Sequence, residues 1–419
     1  MKEQTPFRAY GYRWVVLAAF AVMAVMNQVL WITFAPITSA AAAFYRRSDL
    51  MIGLLSMVFM VVFIIIFLPS AYLIDTRGFR TAVATGAVLT AVFGLTRGLF
   101  ASNFTAVFIS QVGIALGQPF IIGAITKVAA RWFPVEERAT ASAVGTLALY
   151  LGPLLAMFLT PQLVLTIGIP RTLLIYGVAS AAAAIFFLLA AREHPPTPAG
   201  PDERALMFDG LRSMLRKRDF ILLMFVFFIG LGMFNAISTW IEDIIRPRGF
   251  SISEAGRLGG LMLGGGIVGA IVVSLLSDRY RRRKPFILLA LAGLIPGLIG
   301  MTYGTVPWLL LLSGFTFGFF LLSAGPVGFQ YAAEITHPAP EGTSNTLLLV
   351  MGQISGIVFI LGMDALRIRP SGAMTTSLLI LIALSLLNFV LAVTLPESPI
   401  RENSRPQNKP EETLSPLSS

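Results

Sequence analysis

The sequence predicts an all-α membrane protein of twelve transmembrane helices in two pseudo-symmetric six-helix bundles. Three observations predict it. Hydrophobic residues fill 56% of the 419 positions and charged residues only 12%, with a mean hydropathy of +0.80, whereas soluble domains carry roughly 25% charge. Apolar runs recur along nearly the whole chain, each close to the about 20 residues that cross about 30 Å of hydrocarbon. Two arginine-studded turns, Asp75-Thr-Arg-Gly-Phe-Arg80 and Asp278-Arg-Tyr-Arg-Arg-Arg283, set their acidic residues 203 positions apart (278 minus 75), so one apolar unit is written twice.

The crossings read, in order, as 14–40, 50–74, 81–100, 104–130, 139–160, 170–191, 220–241, 257–277, 285–303, 306–333, 343–366 and 373–395. Connections between them are short except at 192–219, where His194-Pro-Pro-Thr-Pro-Ala-Gly-Pro201 opens a proline-rich linker. The expected units are an amino-terminal bundle (1–191), a cytoplasmic linker (192–219), a carboxy-terminal bundle (220–395) and a disordered cytoplasmic tail (396–419). Within the linker, Phe208, Leu211 and Leu215 repeat at helical spacing among Arg204, Arg212, Arg216, Lys217 and Arg218. That pattern predicts an amphipathic helix on the inner membrane surface, as a connector or a regulatory segment.

Placing the amino terminus in the cytoplasm puts 22 of the 31 Lys and Arg on that side and 9 outside. The bias predicts both termini cytoplasmic in a multi-pass protein of the inner (plasma) membrane, and topology and anionic lipid then account for the net charge of +10. No nucleic-acid partner is required, and the expected unit is a monomer in a lipid bilayer. The first apolar segment is long enough to span, so it reads as an anchor rather than a cleaved signal. There is no Cys, which excludes disulfides and thiolate chemistry, and His194 and His337 cannot assemble a triad or a metal site. The expected protein has no cofactor, no metal and no catalytic residue.

Polar side chains at mid-bilayer are costly and tend to face a bundle interior or a wet cavity. Gln118 and Gln353 sit near the middle of their crossings, and Pro119 frees a backbone carbonyl beside the first. They read either as substrate contacts or as interhelical glue. Trp31 lies centrally in the first crossing, away from the headgroups that Trp14 and Trp308 meet. Its ring can hold a quaternary ammonium by cation–π attraction or simply pack. The central stretches of the first, fourth, seventh and tenth crossings contain no Asp or Glu, which argues against proton coupling and for uniport or uptake driven by membrane potential. Lys127 and Arg97 lie near crossing ends and are expected to snorkel, leaving no mid-membrane cation for an anionic substrate.

Asp75 and Asp278 fall at equivalent cytoplasmic helix ends, where a carboxylate can accept bonds from a helix N-terminus of the opposite half or from an Arg. With Arg77, Arg80, Arg279, Arg131, Glu137 and Arg138, and with Glu334 and Glu341, they form the expected inner gate. Glycines in the fifth and eighth crossings (Gly145, Gly152, Gly259, Gly260 and Gly264 to Gly266) lie inside apolar spans without a Gly-Lys-Ser/Thr string. They read as close-packing positions, not a phosphate cradle. A secondary carrier is therefore expected; an intramembrane enzyme would need catalytic polar groups at one depth, and a lipid flippase a lateral opening.

The paired halves, the turns and Arg131-Trp-Phe-Pro-Val-Glu-Glu-Arg138 resemble the major facilitator superfamily. Within it, Arg13-Trp-Val-Val-Leu17, Asn27, Trp31, Leu55-Ser-Met-Val-Phe-Met60 and Leu73-Ile-Asp-Thr-Arg-Gly-Phe-Arg80 resemble the feline leukaemia virus subgroup C receptor family of choline and ethanolamine transporters. The likeness is thinner later, at Phe234-Asn-Ala-Ile-Ser-Thr239 and from Pro340 to Gln353. It implies a choline-like substrate moved by alternating access, in a pocket of a first-span Trp, a fourth-span Gln, a seventh-span Tyr and an eleventh-span Gln. Trp31, Gln118 and Gln353 match that pocket, Asn235 stands where the family has Tyr, and Asn27 and Phe234 fall in the matching strings. A broad drug or metabolite exporter or a haem-type carrier is the alternative, since 32 Phe and 16 Met suit varied ligands.

Overall fold

A computed structural model describes residues 9–199, 211–337, 341–368 and 371–398. Among them the chain is helical, apart from one isolated bridge between Ile368 and Ala373. The long helices follow the apolar runs because a segment in hydrocarbon must satisfy its backbone internally. They are α1 (Arg13–Ile32), α3 (Asp49–Arg77), α4 (Phe79–Leu99), α5 (Phe104–Ile122), α7 (Val135–Ala190), α9 (Arg218–Thr239), α11 (Ile252–Tyr280), α12 (Lys284–Tyr303), α13 (Pro307–Thr336), α14 (Glu341–Ala365) and α15 (Thr375–Val393).

Eleven of the described helical stretches are long and apolar enough to cross a membrane. One of them, α7, counts twice. Its 56 residues would extend about 84 Å as one rod, and the helix breaks where Gly168 takes φ 80° and ψ 167°. The two arms are the expected fifth and sixth crossings, giving twelve.

Three crossings depart from the single rods the sequence suggested. The first breaks after Ile32 into a 3-10 turn, Ala35–Ile37, and then α2 (Thr38–Tyr45), because Pro36 lacks the N–H that would continue the ladder. The fourth continues past Pro119 but breaks at Gly123 and Ala124 before α6 (Ile125–Trp132). The seventh is followed at once by α10 (Ile241–Ile245). In the linker, the described part holds only the short turn α8 (Leu211–Met214), with Met214 fully buried and Leu215 exposed. Arg204 and Phe208 of the expected amphipathic helix lie outside the described residues, as does the tail from 399 onward.

Helices α1, α3, α4, α5 and α7 pack chiefly on one another, as do α9, α11, α12, α13, α14 and α15. The main contacts that join the sets are α11 against α7 and α14 against α3. At the first, a Cβ on Gly259 would lie 2.7 Å from the sulfur of Met157, so the expected close-packing glycines do sit at a helix contact. Both described chain ends and the linker gather on one face of the bundle, through Tyr10 Oη to Thr197 Oγ1 at 2.8 Å and Tyr331 Oη donating to the Pro396 carbonyl at 2.9 Å. This is the near face, and the opposite one is the far face.

Candidate substrate seam and gates

Trp31, on the last turn of α1, is 8% exposed and shares a buried cluster with Phe59 and Met60 of α3, Ile114 and Ala115 of α5, and Phe234 of α9. Its Nε1 donates to the Ser56 carbonyl at 3.2 Å. Gln118 lies one turn beyond Ile114 and Ala115 on α5 and is 5% exposed, with no hydrogen bond to another described residue. No hydrogen bond from this amide joins α5 to another described helix, as interhelical glue would require. Gln353 is half-buried on α14 and likewise makes no described hydrogen bond. It sits three residues from Gly356, where a Cβ would approach Met60 Sδ at 2.6 Å and Asn235 Nδ2 at 2.8 Å. Residues three apart share a helix face, so Gln353 belongs to the same seam between α3, α9 and α14.

Two expected pocket residues already have hydrogen-bond partners on neighbouring helices. Asn27 is fully buried inside the first bundle, where Nδ2 donates to Thr90 Oγ1 at 3.1 Å and to the Ile114 carbonyl at 3.5 Å. It ties α1 to α4 and α5 instead of reaching the seam. Asn235 donates Nδ2 to the Gly352 carbonyl at 3.0 Å, so its amide binds α14 directly. Arg97 does not snorkel. It is fully buried and turns inward to the Leu30 carbonyl at 3.0 Å and Gln111 Oε1 at 2.7 Å, because the broken end of α1 offers it acceptors that the lipid does not.

On the near face the acidic turns pair within their own halves. Lys127 of α6 donates to Asp75 at 3.3 Å, and Arg283 bonds Asp278 five residues earlier. Arg283 also reaches Glu334 at 3.0 Å, and Arg13 reaches Glu137 at 3.0 Å. The expected contact of Asp75 or Asp278 with a helix N-terminus of the opposite half is absent among the described residues. Arg77, Arg80 and Arg279 point to solvent. Arg131 and Arg138 are half-buried, with Arg138 Nε donating to the Phe133 carbonyl at 3.3 Å, and of Glu341 only the backbone is described.

The repeated helix cap belongs to other acids. Glu193 accepts from the Phe79 and Arg80 amides at 3.2 and 2.7 Å, closing the N-terminus of α4. Glu397 does the same for α12, accepting from the Arg283 and Lys284 amides at 2.8 and 3.1 Å. A carboxylate there meets orphan N–H groups and the positive end of the helix dipole. Gly78 is required at the first of these caps: its φ is +86°, and any Cβ would collide with the Glu193 carboxylate. The two caps lie 204 positions apart (397 minus 193), a repeat legible in the sequence once the helix starts are known.

The charges that cross between the halves are on the far face, and sequence reasoning missed them. Asp49, at the start of α3, accepts from Arg246 at 2.6 Å and from Arg367 at 2.8 Å. Both arginines also bond Asp243, at 3.0 and 2.9 Å. Glu242 accepts from the Ser39 amide at 2.8 Å and from its hydroxyl. Trp240 lies beneath Arg367, 4.9 Å from its guanidinium to the ring centroid. A Cβ on Gly53 would lie 2.7 Å from the Trp240 ring, so only glycine lets α3 close on it. Burial pushes the Asp243 carboxyl up to about 7, against the pull of Arg367 and Arg246, and burial likewise raises Glu242 against its bonds to Ser39. The legible signal was an acidic pair directly after a crossing, facing outer arginines.

Two helical bundles meeting along a polar-dotted seam, closed at one face by charges that cross between them, have the architecture of a membrane carrier. The chain belongs to the Major Facilitator Superfamily: the family profile matches residues 16–360 and, overlapping, 249–418. It is 31% identical over 382 residues to solute carrier family 49 member A3 of Xenopus tropicalis, covering 86% of this chain and 79% of that one. It is 30% identical to the choline/ethanolamine transporter FLVCR1 of Felis catus, covering 84% of this chain and 68% of that one. A bacterial homologue of the human lysosomal transporter Spinster, solved inward-facing and unoccupied, superposes with a TM-score of 0.73 at 17% identity, covering 93% and 98% of the two chains. At that identity the likeness is one of fold. The protein is a multi-pass transporter and not an enzyme.

Proposed function

We propose that the protein moves a small organic cation or amine of the choline and ethanolamine type through the seam of Trp31, Gln118 and Gln353, by uniport or under the membrane potential. The observation that carries this is Trp31, an electron-rich ring near the centre of the 33-residue first crossing, with two amides that have no hydrogen-bond partner among the described residues on facing helices. A desolvated ring of this kind attracts a quaternary ammonium by about 2 kcal/mol, and glutamine amides supply donors and acceptors for a hydroxyl or amine. The likeness to transporters named for choline and ethanolamine supports the same substrate class. In this reading the near face is cytoplasmic, as the bias of Lys and Arg requires. The protein works in the inner (plasma) membrane with both termini inside.

Radiolabelled uptake into proteoliposomes tests it, with choline, ethanolamine, betaine and lactate compared with and without an imposed potential. Saturable uptake of choline or ethanolamine, driven by an interior-negative potential and absent for lactate, is expected. Uptake of lactate alone, or of none of the four, rules the reading out.

A further inference from the structure

The polar groups around the break in the first crossing do more than fill space. A helix that ends inside a membrane leaves its last carbonyls without partners, and lipid supplies none. Here the end is forced by Pro36, and the exposed carbonyls belong to the turn that carries Trp31. Thr33 Oγ1 donates to the Val29 carbonyl at 2.8 Å. The Leu30 carbonyl accepts from Arg97 Nη1 at 3.0 Å and Gln111 Nε2 at 3.2 Å. The Trp31 carbonyl accepts from the same Gln111 nitrogen at 3.4 Å.

Gln111 also reaches the Leu55 carbonyl of α3 at 3.1 Å, next to the Ser56 carbonyl that holds the Trp31 indole. Its own oxygen accepts from Arg97 at 2.7 Å, so the arginine dictates which way the amide faces. Arg97 is fully buried with no carboxylate within ion-pair distance among the described residues. Its charge is met by the negative end of α1, by the Gln111 oxygen, and by the Phe34 ring at 5.7 Å. Isolated charge in a bilayer is expensive, and its spatial outcome here is a fixed α1–α3 junction on both sides of one tryptophan.

We infer that Arg97 and Gln111 are positioning residues for Trp31: they clamp the broken end of α1 to α3 and thereby set the orientation of the indole in the substrate seam. The assignment rests on the proposed role of Trp31 only for its effect on transport. The clamp itself can be read without it.

The test uses the full chain labelled with fluorotryptophan, which gives five fluorine NMR signals, one per Trp; that of Trp31 is the one lost in Trp31→Phe. Gln111→Glu keeps the acceptor for Arg97 but deletes the amide donors, and Arg97→Lys keeps the charge but loses the fork. In both variants the Trp31 signal is expected to move while those of Trp14, Trp132, Trp240 and Trp308 stay. In proteoliposomes the choline KM should rise about tenfold, near 1.4 kcal/mol, with little change in maximal rate, and neither substitution should add to the effect of Trp31→Phe. An unmoved Trp31 signal, or a KM increase of equal size in both backgrounds, overturns the clamp. An unchanged choline KM in Trp31→Ala would instead sink the proposed substrate role, and the NMR signal would still decide the clamp.

Discussion

Arg367 Nη1 donates to Asp49 Oδ2 at 2.8 Å across 318 positions of sequence, joining the end of α14 to the start of α3. Arg246 bonds the same oxygen at 2.6 Å, and both arginines hold the fully buried Asp243. Paired charges that are shielded from water interact far more strongly than exposed ones. The far face is therefore held shut by a compact charge cluster rather than by scattered surface pairs.

Asp49→Asn removes the only carboxylate that the first half adds to these arginine pairs among the described residues. It is expected to open the far face more often while leaving Asp243 paired. The chain has no Cys, so Leu50→Cys provides a single reporter. Its labelling by an impermeant maleimide from the far side should quicken roughly tenfold, equivalent to about 1.4 kcal/mol. Equal rates with and without Asp49 would mean the pair does not hold the seam.

The same cluster predicts a pH dependence. Three carboxylates (Asp49, Glu242, Asp243) face two guanidiniums (Arg246, Arg367), and burial pushes Asp243 up to about 7. Once the far face opens and water reaches it, its pKa returns to about 3.9, so opening releases a proton between those values. Acid therefore favours the closed face, and raising pH through about 7 weakens it, by up to about 1.4 kcal/mol per pH unit in that window. Divided by the rate of a free model thiol at the same pH, which removes the ionisation of the thiol itself, labelling of Leu50→Cys should be slower near pH 5 than near pH 8 and nearly flat in Asp243→Asn. The opposite slope would contradict the proton linkage.

Trp31→Ala should weaken choline binding by roughly thirtyfold, the equivalent of about 2 kcal/mol of cation–π attraction, whereas Trp31→Phe should retain part of it. Isothermal titration of the detergent-solubilised protein measures both. Matching affinities in wild type and Trp31→Ala would show that the ring only packs.

Asn235→Leu deletes the bond to the Gly352 carbonyl and should lower stability by about 1–3 kcal/mol without changing the ratio of choline to ethanolamine affinity. Thermal unfolding and competition assays separate the two effects. A changed ratio with unchanged stability would return Asn235 to the pocket.

Gly78→Ala is expected to destabilise the near face by about 1–3 kcal/mol, since φ +86° suits few L side chains and the new methyl meets Glu193. Glu193→Gln should cost only about 0.3–1 kcal/mol, the charge–dipole part of the cap. Unfolding midpoints that reverse this order would show that the cap does not depend on the glycine.

Hydropathy, the repeated turns and the proline-rich linker were enough to predict twelve crossings in two halves, because apolar length and the need for internal hydrogen bonding are local demands that each segment meets alone. Trp31, Gln118 and Gln353 stood out as candidates for a similar reason: a polar or amphipathic side chain deep in an apolar run is conspicuous wherever it points. Where it points is another matter, and only the tertiary structure decided it. Asn27 carries the same kind of signal as Gln118 yet is consumed by Thr90, and Arg97 looks like a snorkelling residue yet caps the broken end of α1. Likewise Asp75 and Asp278 were visible as a repeat, but the carboxylates that close helix ends are Glu193 and Glu397, and those that join the halves are Asp49 and Asp243. The partners of a charge lie up to 318 positions away along the chain. Their identity is set by how helices from separate crossings come together, and local pattern does not encode that.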